Sequence, residues 1–119
     1  MASWAHTLGL TWSKEAPGVV STFTPRPEHC GRPGYLHGGL AATVLDETMA
    51  ALGYVLEDEH RVTATLTVKY RQPIPLDGRP VRIEAWRDMP PRRVTKVFGR
   101  IVLADGVVAA EAEGLFVRA

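Results

Sequence analysis

The sequence of 119 residues predicts an α+β domain in which one long central helix is wrapped by a curved antiparallel β-sheet of five or six strands. Three observations carry that expectation. The second half of the chain holds long runs of strand periodicity separated by Pro and Asp-Gly turns. Only one segment has the length and pattern of a core helix. The inward face of the last strand is lined with Ala and Gly, the surface a helix needs in order to lie close.

Taken in order, "LGLTWS" (8–13) and "GVVSTFT" (18–24) are short strands around the turn "KEAPG". The helix runs from about Gly38 to Val55. "VTATLTVKYR" (62–71) alternates throughout, with Val62, Ala64, Leu66, Val68 and Tyr70 on one face and Thr63, Thr65, Thr67, Lys69 and Arg71 on the other. "QPIPLDG" stops it, because its prolines remove ladder donors and Asp77-Gly78 favours a turn. "PVRIEAWR" sets Val81, Ile83 and Ala85 against Arg82, Glu84 and Trp86. In the next strand Thr95, Val97, Gly99, Ile101 and Leu103 share a face. After a turn at Asp105-Gly106, the run 107–118 puts Val108, Ala110, Ala112, Gly114 and Phe116 together.

The length suits a single domain, residues 1–119. With 14 Lys and Arg against 13 Asp and Glu there is no basic excess for nucleic acid. The start "MASWAHTLGL" lacks a leader pattern and no apolar run approaches the roughly 20 residues that cross a bilayer, so a cytoplasmic protein without membrane partners is expected. The single Cys30, beside His29, has no further ligands at metal spacing, and no metal is expected. Trp4, Trp12 and Trp86 read as core or interface side chains.

"GRPGYLHGGLAATVLDETMA" (31–50) carries the chemistry. Plotted at about 100° per residue, Leu40, Val44, Leu45, Thr48 and Leu52 fall in one sector of the helix. Ala42, Thr43, Asp46, Ala50 and Gly53 fall in the opposite one, with Glu47 toward its edge. Small residues there suggest that another backbone comes close, so both sectors are expected to be buried. A buried carboxylate must be paired, protonated or functional. At the helix entrance, Gly38 and Gly39 allow close approach, and the first amides of a helix lack internal partners and favour negative charge, as an oxyanion hole requires. His37 is a capping or a catalytic candidate. His37 and Asp46 are nine residues apart, about 13 Å along a helix, too far to act on one carbonyl. They could cooperate across a two-fold axis, which predicts a dimer with its sites at the interface.

"HGGLAATVLDETMA", "TATLTVKYRQPIPLDG" and "DGVVAAEAEGLFV" together resemble the hotdog-fold acyl-CoA thioesterases, in particular the phenylacetate-pathway (PaaI-like) type, over roughly residues 17 to 118. The resemblance implies a homodimer or homotetramer that hydrolyses an acyl-CoA thioester to free acid and CoA, with no cofactor, since CoA is part of the substrate. It implies that the Gly38 amide, with Gly39 close by, polarises the carbonyl, and that His37 positions the loop or the thioester. Asp46 of the partner subunit is then nucleophile or general base, and Thr63 holds the acid or a water. Other hotdog branches use a helix glutamate, which keeps Glu47 a candidate. Some relatives carry a side-chain amide about six residues before the histidine, where this chain has Gly31. The phosphates of CoA would meet Arg92, Arg93, Lys96 and Arg118. The alternatives are a non-catalytic acyl-CoA-binding protein and a hotdog dehydratase, the latter disfavoured by the position of Asp46.

Overall fold

The computed structural model describes residues 4–119. Six antiparallel strands form one sheet in the order β1-β2-β4-β5-β6-β3, comprising β1 (Trp12–Glu15), β2 (Gly18–Phe23), β3 (Arg61–Tyr70), β4 (Val81–Trp86), β5 (Val94–Val102) and β6 (Val108–Arg118). A short helix, α1 (Trp4–Leu8), precedes them, and the long helix α2 (Gly38–Glu57) lies on one face of the sheet. The connection through α2 carries the chain from β2 to the far edge, so β3 is left with one free side.

The inward faces expected of β4, β5 and β6 are observed. Val81, Ile83, Val97, Ile101, Ala110, Ala112 and Phe116 are buried against Val44, Leu45, Met49 and Leu52 of α2. Gly99 shows why the face is small: a Cβ there would stand 2.8 Å from Met49 Sδ. One polar tie crosses this core. Thr48 Oγ1 donates to the Val44 carbonyl (2.8 Å), so Ser21 Oγ, 2.7 Å away, donates to Thr48, and both buried hydroxyls are satisfied. On the outer face Glu84 is gripped by Arg82 (2.7 Å) and Arg100 (2.5 Å), and Arg100 lies over the Trp86 ring. Trp12 is half-buried against the core. The side chain of Trp4 falls outside the described residues.

Four expectations need correction. The first strand begins at Trp12, not at residue 8, because Leu8 and Leu10 turn into the core around Gly9, whose φ is +71°. Residues 14 and 15, read as a turn, belong to β1. At 20 residues α2 is, by length and overall composition, long and apolar enough to cross a bilayer, which the reading of short apolar runs did not allow for, although Asp46, Glu47 and Glu57 interrupt it. The uniform alternation of residues 62–71 is also broken. Thr63 pairs with Phe116 and Thr65 with Leu115, leaving a bulge at Ala64. Paired residues share a face, so Thr63 joins the buried Phe116 side while Val62 turns outward and is 55% exposed. The bulge thereby points Thr63 at the helix and still lets Leu66, Val68 and Tyr70 face it.

Candidate active site

Two polar centres lie along α2. The first is built by residues 29–37, a loop closed on itself by bonds from Gly31 N to Tyr35 O and from Tyr35 N to Arg32 O, each 3.0 Å. Gly34 takes the positive φ of +87° that its turn requires. The loop is anchored by Leu36 N to Ile74 O and His37 N to His29 O, both 2.9 Å. Behind it, the buried His29 ring packs on Phe23 and accepts the Arg26 amide at Nδ1 (3.0 Å). Cys30 is exposed, and no cluster able to hold a metal ion occurs among the described residues.

This delivers His37 as the N-cap of α2, in extended conformation at φ −60°, ψ 131°. Its Nδ1 accepts the Gly39 amide at 2.9 Å, so neutral His37 carries its proton on Nε2. Leu40 N and Ala41 N both donate to the His37 carbonyl (3.0 and 3.1 Å). Of the first four amides of the helix, only that of Gly38 has no acceptor among the described residues. The two glycines are therefore not equivalent: Gly39 completes the cap and Gly38 offers the open donor. Gly31 could not carry an amide side chain without moving the cap, since a Cβ there would sit 3.1 Å from His37 Cα. Beside Gly38 opens a cavity of about 300 Å³ bordered by Leu36, Ala41, Tyr70 and Ile74. The Tyr70 hydroxyl donates to the Gly38 carbonyl at 2.7 Å, an interaction the sequence reading missed. A hollow of about 310 Å³ between Trp86, Phe98 and Lys69 lies across the sheet and holds none of these groups.

The second centre is Asp46 with Thr63, whose Oγ1 donates to Asp46 Oδ1 at 2.6 Å. Within one chain no bond links it to His37. The small sector of α2 is buried only at Gly53, against Arg61, and half-buried at Ala42, Thr43, Asp46 and Ala50, short of the burial expected, because among the described residues it is only partly covered.

Glu47, also half-buried, has no hydrogen-bond or ion-pair partner among the described residues; burial, and secondarily the Asp46 charge, raises its carboxyl above the ordinary 4.5. The folded state thus favours neutral Glu47. That stabilisation is complete below the unfolded value and is lost as pH rises through the raised one. Glu47→Gln should match the wild-type melting temperature near pH 4 and exceed it at pH 7. A difference independent of pH would reject this account.

The four basic candidates separate. Lys96 is paired with Glu113 (3.2 Å) and lies over Phe98 on the outer face, and Arg118 is paired with Glu59 (3.0 Å). Arg92 and Arg93 have no acid partner among the described residues. Arg61, not singled out from the sequence, is nearly buried and bonds Glu59 and the carbonyls of Arg93 and Phe116, so it ties the Arg92-Arg93 corner to the end of the sheet that holds Thr63.

Comparison with known proteins gives a consistent result. The model of the thioesterase superfamily matches residues 33–110. An acyl-coenzyme A thioesterase, THEM4, of Xenopus laevis is 36% identical over 117 residues, 92% of this chain but 49% of the relative, so the chain spans about half that protein's length. Among solved structures, the E. coli PaaI protein from the phenylacetic acid degradation operon superposes with a TM-score of 0.86 at 18% identity, covering 99% of this chain and 85% of that one. The smu.793 protein of Streptococcus mutans, bound to acetyl CoA, superposes with a TM-score of 0.83 at 18% identity, covering 92% and 88%. These two likenesses establish the hotdog fold.

Proposed function

Because the chain belongs to the thioesterase superfamily, we propose that it hydrolyses an acyl-CoA thioester, with the carbonyl bound at the Gly38 amide of one subunit and Asp46 of the other subunit driving the attack. The observation that carries this reading is the pairing of one open helix N-terminal donor with a carboxylate already oriented by Thr63 on the exposed side of the same helix. The acyl-CoA class is supported by the THEM4 likeness and by the acetyl CoA in the S. mutans structure.

The chemistry follows from those groups. As general base, Asp46 takes a proton from water while the hydroxide adds to the thioester carbon. The negative charge formed on oxygen lies against the Gly38 N–H and the positive end of the helix dipole. Collapse of the adduct breaks the C–S bond, and the CoA thiolate recovers the proton from Asp46. As nucleophile, Asp46 would instead attack the thioester carbon and expel the CoA thiolate, forming an acyl anhydride that water cleaves to the free acid and the Asp46 carboxylate, with the released proton passing to the thiolate. Both routes use the same two groups.

A dimer supplies the geometry. β3 is an edge strand ten residues long, paired on one side only among the described residues, next to the half-covered sector of α2. A second copy related by a two-fold axis covers both and sets the two helices antiparallel, so each Asp46 approaches the other chain's Gly38. Association of two such dimers would give the tetramer.

The test is CoA release from a panel of short, long and aromatic acyl-CoAs, followed with a thiol reagent. Release from any of them supports hydrolysis. Binding without release across the panel would instead support a non-catalytic acyl-CoA-binding protein, a reading favoured by Gly31, which removes the amide that some relatives carry. For the nucleotide phosphates, the free Arg92 and Arg93 are the better candidates than the paired Lys96 and Arg118. An Arg92→Glu, Arg93→Glu double variant should raise KM about tenfold, with kcat little changed. An unchanged KM would remove the corner from the binding site.

A further inference from the structure

We infer that Tyr70 is a positioning residue for the oxyanion donor: its hydroxyl holds the Gly38-Gly39 peptide so that the Gly38 amide stays aimed at the substrate carbonyl. The inference rests on the hydrolase reading above and adds a residue to it. Two consecutive glycines at a helix entrance have no Cβ to restrict their torsions, so their peptide planes are free to swing unless something else restrains them. Beyond the helix's own ladder, which takes up the Gly38 carbonyl from one side, the restraint is side-chain hydrogen bonding at both ends of one peptide unit. Tyr70 Oη donates to the Gly38 carbonyl at 2.7 Å, and the amide of the same unit, Gly39 N–H, donates to His37 Nδ1 at 2.9 Å. The preceding unit is held through its carbonyl, which accepts from Leu40 and Ala41. Its remaining group is the open Gly38 N–H.

The bonds form a chain from Tyr70 hydroxyl to Gly38 carbonyl and from Gly39 amide to His37, in which each link polarises the next. The Tyr70 ring closes the arrangement, standing 3.7 Å from where a Gly38 Cβ would be and forming one wall of the adjoining cavity. Tyr70 is 55% exposed in the single chain, and burial alone does not explain why a tyrosine ends this strand on the helix side. The register does. After the bulge at Ala64, Tyr70 pairs with the buried Ala110, which directs its side chain to the α2 entrance.

Tyr70→Phe keeps the ring and deletes only the hydroxyl. The expected result is a fall in kcat of about tenfold, with KM within about twofold of wild type and an unchanged melting temperature, because the ground-state contacts of the substrate survive while the donor loses its aim. Amide hydrogen exchange at Gly39, whose N–H is bonded to His37 Nδ1, read by NMR in the free protein, should accelerate in the variant while the remainder of α2 is unaffected. Wild-type exchange at Gly39 overturns the inference, as does an unchanged kcat. A joint fall of kcat and melting temperature overturns it too, since the hydroxyl would then only be holding strand to helix. If the wild-type protein cleaves no acyl-CoA, the hydrolase reading fails, and the exchange measurement alone decides whether Tyr70 restrains the peptide.

Discussion

Gly38→Pro is expected to fold like the wild type and to lose about 10²- to 10³-fold in kcat, the usual cost of one missing oxyanion donor. The substitution is unusually clean at this position. Gly38 is the first residue of α2, where proline is favoured because its fixed φ suits the helix and its missing N–H would be unpaired in any case. The residue before a proline must be extended, and His37 already is, at φ −60° and ψ 131°. No internal hydrogen bond is lost, because the Gly38 amide has no acceptor among the described residues. The change therefore deletes one donor and leaves the His37 cap and the Tyr70 bond in place. Gly39→Ala would be a poor substitute, since its Cβ would lie 3.0 Å from the His37 ring and displace the cap. Measured kcat within about threefold of wild type, with the melting temperature unchanged, would show that the Gly38 amide is not the donor.

The contrast between the two glycines shows what the sequence could and could not convey. The helix, its glycine entrance and the small inward face of β6 were legible because each follows from local periodicity or from the special conformational freedom of glycine. So was the nine-residue separation of His37 and Asp46, which is fixed by helix rise alone. Which amide remained open was not legible, because that depends on whether the His37 ring folds back onto its own helix. The bulge at Ala64 was hidden for a different reason: the alternating pattern continues through it without interruption. A bulge is decided by how two strands pair, here Thr63 and Thr65 against Phe116 and Leu115. Tyr70 reads as one more inward strand residue, and its partner Gly38 lies 32 positions away. Among the cations, periodicity cannot tell that Glu59 and Glu113 occupy Arg118 and Lys96 while Arg92 and Arg93 stay free.

Asp46→Asn is expected to lower kcat by about 10²- to 10⁴-fold, the range for loss of a positioned base, with little change in stability. The amide has the shape of the carboxylate, and its oxygen can still accept the Thr63 hydroxyl, so orientation persists while basicity is lost. Combined with Gly38→Pro, this variant tests whether the two centres belong to different subunits. Each homodimer of either variant has a defect in both of its sites. In a mixed dimer, one site combines the proline of one chain with the asparagine of the other, and the second site receives the intact Gly38 and the intact Asp46. Random assembly makes half of the dimers mixed, each with one sound site of two, so co-expression should restore about a quarter of wild-type activity from two nearly inactive chains. No recovery, from mixed dimers shown to have formed, would place Gly38 and Asp46 in the same chain's site. That outcome would require a substrate to bridge the roughly 12 Å between them along α2.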